Sequence, residues 1–355
     1  MNESLSSLTT QAVSLLCQMV STPSISREES NAASLLEHFM SEQGLNPKRH
    51  ENNLWVLAPG YDKARPTLML NAHIDTVPPA TSWTHNPFAP TLEGDKLFGL
   101  GTNDDGASLV TLLQVFRTLA SKPQPYNLLF LASAEEEVSG NKGIEAVLPL
   151  LPPVNVALVG EPTGMQPAIA EKGLMVIDAT AHGRSGHAAR NEGDNAILRA
   201  IDDIQRLRNL RFPLVSRLLG QVKTTVTIIH AGTRHNIVPD SCTFTIDVRS
   251  NELYSNQEIL NILRQELSSE LKPRSLRLNS SRISTNHPLV RRTVELGLTP
   301  FGSPTLSDRA LMPFPALKLG PGQPSRSHSA DEYVRISEIE HALETYLKLL
   351  DNLHL

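Results

Sequence analysis

The sequence predicts an α/β protein into which a second, smaller unit of β-α-β-β-α-β order is inserted. Three observations carry this. Up to Lys172, short continuously apolar runs such as Thr67–Ala72 and Leu128–Ala132 alternate with helix-spaced patterns, as expected of strands buried on both faces. After Gly173 the strand-like runs alternate apolar and polar residues. At about His287 the first pattern resumes and continues to the C-terminus. With 355 residues, 40% of them apolar, the chain is long enough for about two domains with a substantial core.

The elements follow in order. Leu8, Val13, Leu16 and Met19 have helical spacing, which predicts an amphipathic helix over 7–20 that ends near Thr22-Pro23. A second helix is expected over 30–43, and strands over 53–58 and 66–72. Residues 77–98, rich in Pro and Thr, predict a long loop, a feature often tied to function. Gly106 opens a helix to about Leu119. A buried strand follows over Tyr126–Ser133, a short helix over Gly143–Leu151 and a strand over Val154–Val159. The inserted part reads as strand Leu174–His182, helix Asp194–Leu210, strands Lys223–His230 and Cys242–Arg249, helix Asn256–Leu271 and a short strand Ser275–Asn279. That order is the ferredoxin-like arrangement. A strand at Ala316–Leu319 and a helix at Ile336–Leu353 complete the first unit.

Composition excludes several classes. The net charge is −5 and no like-charge block exceeds three glutamates, so nothing favours nucleic acid or an anionic membrane. The N-terminus has neither the basic nor the apolar region of a signal peptide, and no apolar stretch approaches the roughly 20 residues of a spanning helix. Cys17 and Cys242 lie far apart in apolar patterns, as buried thiols do in a reducing compartment. The expected location is therefore cytoplasmic. A zinc–thiolate site would need more sulfur.

The chemistry lies where predicted strands end. His73 and Asp75 close the Thr67 run two residues apart, so both side chains share a face, an arrangement that lets a carboxylate orient a metal-binding imidazole. On its own a His-x-Asp pair would be an ordinary core histidine with a neighbour. Asp104 and Asp105 precede a helix in a glycine-rich stretch, where one acid alone would be a helix cap. Glu135, Glu136 and Glu137 follow the buried strand; neighbouring acids there face alternate sides, so one can bind metal while another takes a proton from the attacking water. Glu161 ends another strand, and His328 follows the loop Gly320-Pro-Gly-Gln-Pro. Two imidazoles and several carboxylates without sulfur suit zinc, cobalt or manganese in an open catalytic site. In the inserted part, His187 follows a flexible strand exit, Arg234, His235 and Asn236 follow Gly232, and Arg249 ends a strand; an arginine there can grip a carboxylate bidentately.

In combination, Asn71-Ala-His73-Ile-Asp75-Thr-Val-Pro78, Gly99-Leu-Gly101-Thr-Asn-Asp104, Ala134-Glu-Glu136-Glu137, Gly160-Glu161-Pro-Thr163, Gly186-His187 and His328 resemble the M20 metallopeptidase family over nearly the whole chain. The resemblance implies a zinc-exopeptidase-like α/β catalytic domain over 1–172 and 286–355, with an inserted ferredoxin-like dimerisation and lid domain over 173–285. It implies two divalent ions, zinc or cobalt, with His73, Asp104 and Glu161 holding one, Asp104, Glu137 and His328 the other, and Asp104 bridging. Asp75 would orient His73 and Glu136 would be the general base. His187 would arrive from a partner subunit of a homodimer, and Asn236 and Arg249 would bind substrate. One departure is plain: the family usually has Asp-x-Lys-Gly where this chain has Asp104-Asp105-Gly106. Within the family the chain looks most like the enzymes that deacetylate N-acetylornithine in arginine biosynthesis. Relatives acting on N-acetylcitrulline, succinyl-diaminopimelate or dipeptides are the alternatives. A non-catalytic binding protein retaining the fold would be expected to have lost at least one ligand or the base, and none is missing.

Overall fold

The computed structural model describes residues 3–190 and 192–355. The chain forms two compact units: one comprises residues up to Ile169 with Ile283–Phe301 and Ser307–Leu355, the other Ala170–Arg282 with Gly302–Leu306.

The first unit is built on a mixed sheet. Six of its strands run in the order Lys48–His50, Asn53–Leu57, Asn127–Ser133, Thr67–His73, Val156–Val159 and Ala316–Lys318. The last four are mutually parallel, and His73 lies level with Ser133 and Lys318 with Val159. Consecutive residues of these strands serve different cores. Leu68 and Leu70, with Leu128 and Phe130, pack into the larger core beneath helices Leu5–Val20, Ala107–Ala120 and Ile336–Leu350. Met69, Leu129 and Leu131 face the smaller core with Trp55, Ile144 and Ala316. Burial on both faces explains why these strands are continuously apolar. Parallel strands also gather their C-terminal ends at one edge, where open α/β sheets place their ligands.

The second unit has the expected β-α-β-β-α-β order. Its antiparallel sheet runs Lys223–Ala231, Ser241–Arg249, Met175–His182 and Glu270–Pro273, packed on helices Ala196–Asn209 and Asn256–Glu266 around Ile177, Phe244, Ile246 and Leu263. Lys223–Ala231 is an edge strand, exposed along most of its length.

Three expectations are corrected. The helix predicted over Asn256–Leu271 stops at Glu266. Buried Asp203, on the other helix, accepts hydrogen bonds from the Ser268 and Ser269 amides at 3.0 and 2.7 Å, and this turns the chain. The last strand is therefore Glu270–Pro273, and Ser275–Asn279 is irregular. The predicted loop 77–98 contains two short strands, Thr91–Glu93 and Lys96–Phe98, and the latter pairs with Tyr333–Arg335. The sequence reading also left out helix Pro288–Glu295, whose Pro at the first position and His287 cap mark its start. No helix among the described residues is long and apolar enough to cross a membrane.

Candidate metal centre

Five chain segments, carrying His73, Asp104, the Glu135–Glu137 turn, Glu161 and His328, meet at the carboxyl edge of the parallel strands. His73 ends its strand, 3% exposed. Its Nδ1 lies 2.9 Å from the Asp75 carbonyl and 3.5 Å from Asp75 Oδ1, while Nε2 lies 3.2 Å from Asp104 Oδ1. Burial works against a proton on this imidazole, but the bonds to Asp104 and Asp75 outweigh it and the pKa is raised. Asp75 has a second task. Its Oδ1 accepts from the Glu136 amide at 3.0 Å, and Oδ2 from the Glu137 amide at 3.1 Å and from Ser26 Oγ at 2.7 Å. One carboxylate thus orients the imidazole and the turn that carries the glutamates.

The three glutamates diverge. Glu135 adopts a left-handed backbone (φ 54°), and its Oε2 accepts from the Lys142 amide on the far side of the turn. Glu136 faces His73 and Glu161, and burial, reinforced by neighbouring carboxylates, pushes its pKa well up against the pull of His73. Glu137 meets His328, whose Nε2 lies 2.9 Å from Glu137 Oε2 and 3.7 Å from Asp104 Oδ2. The hydrogen bond to Glu137 lifts the His328 pKa to about 9 although burial opposes it. Glu161 is buried; burial raises its pKa to about 7, and Lys318, with Nζ 3.5 Å away, pulls it down.

Asp104 therefore reaches both imidazoles, with one oxygen near His73 and the other nearest His328. Donor atoms of His73, Glu136 and Glu161, and separately of His73, Asp104 and Glu137, converge within 4.8 Å. A carboxylate within reach of both imidazoles, with further carboxylates beside them, is a donor set suited to borderline divalent cations.

The sequence reading missed two residues here. Lys318 interrupts the apolar strand Ala316–Lys318 and is 2% exposed beside Glu161; a lone lysine in Pro315-Ala-Leu-Lys-Leu was a usable signal. Glu332 is 2% exposed and accepts from the backbone amides of Gly101, Asn103 and Asp104. Burial raises its pKa to about 8 and those amides oppose the rise. Nothing in its local pattern, Ala330-Asp331-Glu332, marks it. Gly106, where the family usually has Lys, has no room for a side chain: a Cβ would lie 2.4 Å from the Gly101 carbonyl oxygen.

The remaining expected site residues belong to the second unit. His187 and Asn236 are neighbours there: Gly186–His187 pairs with Ile237–Val238, and the Ala188 amide donates to the Asn236 carbonyl. Both side chains are exposed. Arg249 sits at the far end of strand Ser241–Arg249, eight residues from its Ser241 end, a span of about 27 Å at strand spacing. Its guanidinium is bidentate on Asp247, at 2.9 and 3.1 Å. Arg249 thus lies at the end of this strand opposite the one from which the chain runs back to Asn236.

Fold and site together define the class, an α/β framework whose parallel strands gather imidazoles and carboxylates that could hold a cation. The chain belongs to peptidase family M20/M25/M40, whose model matches residues 69–352. It is thus a member of a metal-dependent family of amide-bond hydrolases. It is 28% identical to the acetylornithine deacetylase of Proteus mirabilis, with 96% of each chain covered, and 29% identical to that of Shigella sonnei, with 94% of this chain and 95% of that one covered. Among solved structures it resembles a Staphylococcus aureus tripeptidase (TM-score 0.78, 21% identity, 96% of this chain and 97% of that one). It also resembles a Bacillus subtilis protein described as a dinuclear metal-binding peptidase of family M20 (TM-score 0.75, 15% identity, 97% and 98%). These likenesses place the fold.

Proposed function

We propose that the protein is a dimetal amidohydrolase that removes the acyl group from a small N-acyl amino acid, N-acetylornithine first among them, in arginine biosynthesis in the cytoplasm. The observation that carries the reading is Asp104, whose carboxylate lies between His73 and His328, with half-buried Glu136 facing His73 and Glu161. His73, Asp104 and Glu161 hold one ion and Asp104, Glu137 and His328 the other, zinc or cobalt by donor type. When bound, the pair supplies Lewis acidity that eases water ionisation and polarises the amide carbonyl. The choice of acetylornithine rests on the two deacetylase relatives.

The chain's own groups divide the remaining work. Glu136 accepts a proton from the attacking water and returns it to the leaving amine nitrogen, a role suited to a carboxylate whose pKa burial has raised. Asp75 keeps His73 and the Glu136 turn in register. Arg249 takes the substrate α-carboxylate in exchange for Asp247, Asn236 also binds substrate, and His187 steadies the developing oxyanion.

The distance between Arg249 and the His187–Asn236 pair supports a division between two chains: in a homodimer, one subunit contributes Arg249 and the other the pair. Exposed Ile228 and Ile229 on the edge strand, with Leu198 and Ile201 on the adjacent helix, support a twin covering that edge.

A panel of N-acetylornithine, N-acetylcitrulline, succinyl-diaminopimelate and dipeptides with zinc-loaded protein tests the substrate. Hydrolysis of a dipeptide alone, or of none, would reject the deacetylase reading. On an acetyl-amino acid and its α-amide, wild type should strongly prefer the acid. Arg249→Ala should lose that preference, a cost of about 2–5 kcal/mol. Equal discrimination by both proteins would place carboxylate recognition elsewhere.

A further inference from the structure

The segment after His328 carries two adjacent carboxylates that fasten loops on either side of it. Asp331 accepts from the amides of Thr84 and His85, both at 2.9 Å, and from Thr84 Oγ1 at 2.7 Å. Glu332 turns the other way. Its Oε1 accepts from the Asn103 amide at 2.8 Å and the Asp104 amide at 2.9 Å, and its Oε2 from the Gly101 amide at 3.0 Å. Glu332 immediately precedes strand Tyr333–Arg335, which pairs with Lys96–Phe98, so its backbone is anchored to the strand that leads into the Asp104 loop. The Gly99 amide donates to the Glu332 carbonyl as well. Asn103 adds a second link between the same two segments: its Nδ2 donates to the Gln323 carbonyl at 3.1 Å and to Ser327 Oγ at 3.2 Å, and its Oδ1 accepts from the Gln323 amide at 2.9 Å.

Four N–H groups of the turn into helix Ala107–Ala120 are thus satisfied by one buried residue from a segment more than 200 positions away in sequence. Burying a carboxyl group is costly unless it is hydrogen-bonded, and a fully satisfied buried network fixes one arrangement. The geometry specified here is the position of Asp104 relative to His328, four residues upstream of Glu332. Asp104 is the group proposed to serve both metals, and His328, 3.7 Å from it, is a proposed ligand of one.

We propose that Glu332 is a positioning residue for the whole centre, its carboxyl cradling the Asp104 loop so that Asp104 meets His73 and His328 at once. The inference rests on the proposed two-metal reading and adds to it that both metals depend on one group that touches neither. Asp331, which fastens a loop without proposed ligands, has no such dual influence.

Glu332→Gln provides the test. It preserves volume, but its amide nitrogen cannot accept from the Gly101 N–H. Metal affinity is read by competition with a chromophoric chelator, and the ligand field by the visible absorption of the cobalt-loaded protein. Both binding steps should weaken by about 10–100-fold, as loss of groups that orient metal ligands typically does, with a changed cobalt spectrum. Asp331→Asn should leave the tighter or the weaker step, at least one of them, at its wild-type value. Wild-type affinities and spectrum in Glu332→Gln would overturn the proposal, as would equal weakening of both steps by the two variants, which would indicate general loosening of the segment. Should Glu332→Gln fail to fold, hydrogen exchange on the wild type decides. The peptide covering 99–106 should stay protected after chelation, because the carboxyl rather than the metal holds its amides; rapid exchange there would overturn the cradle. A wild type that binds fewer than two metals would instead reject the two-metal reading, and the cradle's proposed role with it.

Discussion

Glu136 and His328 are the residues at which the proposed chemistry is most exposed to test. Glu136→Gln retains shape and neighbours but cannot take a proton, so activity should fall about 10²–10⁴-fold while two metals stay bound. Activity surviving in Glu136→Gln but lost in Glu137→Gln with full metal would move the base by one residue. His328 makes a second prediction. Its hydrogen bond to Glu137 raises its pKa to about 9, so it holds a proton throughout the neutral range, and a cation at Nε2 has to displace that proton. Metal affinity should therefore rise with pH up to about 9 and level off above it; chelator competition between pH 7 and 10 measures this, and a flat profile would refute the coupling. At this scale the types of His73, Glu136, Glu137 and Glu161 were legible because each follows an apolar run, and those of Asp104 and His328 because each sits in or after a glycine-rich loop. The direction of each glutamate was not. The left-handed turn at Glu135 and the Asp75 contacts with the next two amides separate them, and those contacts arise between strands.

Elements were legible wherever one face or both were buried, since the repeat of apolar residues records that burial directly. They were misread where a distant side chain decides an end, as Asp203 does for helix Asn256–Glu266. Helix Pro288–Glu295 supplies a prediction of its own. His287 caps it, with Nδ1 accepting from the Leu289 amide at 3.2 Å, and burial lowers the His287 pKa. A lowered pKa means that the unfolded chain binds the proton more readily, so stability is present above the ordinary histidine pKa and is lost as pH falls below it. His287→Asn keeps a cap that does not titrate. Thermal unfolding from about pH 7 down to 5 should show a smaller loss for the variant than for the wild type; parallel curves would dissociate the cap from the pH response. In the main core, Phe130→Ala removes a ring packed at 6.1 Å from Phe116 and should cost about 3–5 kcal/mol, measurable by denaturant unfolding.

For the molecule as a whole, the prediction concerns assembly. If His187 serves the partner's site, inactive His187→Ala and inactive Glu136→Gln chains complement each other, because a mixed dimer contains one site with both native residues. After full exchange about a quarter of wild-type activity should return, since half the dimers are mixed and one site in each is intact. No recovery after exchange verified by mass spectrometry would place His187 in its own chain's site, or in none.

The sequence by itself determined the α/β class, the interrupted order of elements, the family and the chemical types gathered at the strand ends. These are properties of local periodicity and short motifs, which each stretch of chain carries on its own. Tertiary structure decided what depends on segments far apart in sequence. The parallel register brings His73 level with Ser133, and so beside the glutamate turn. Asp75 serves two elements, and Lys318 is buried against Glu161. Glu332 gathers the amides of the Asp104 loop. Each is a polar contact between residues with no local pattern linking them, and burial makes such contacts obligatory only once the chain has folded.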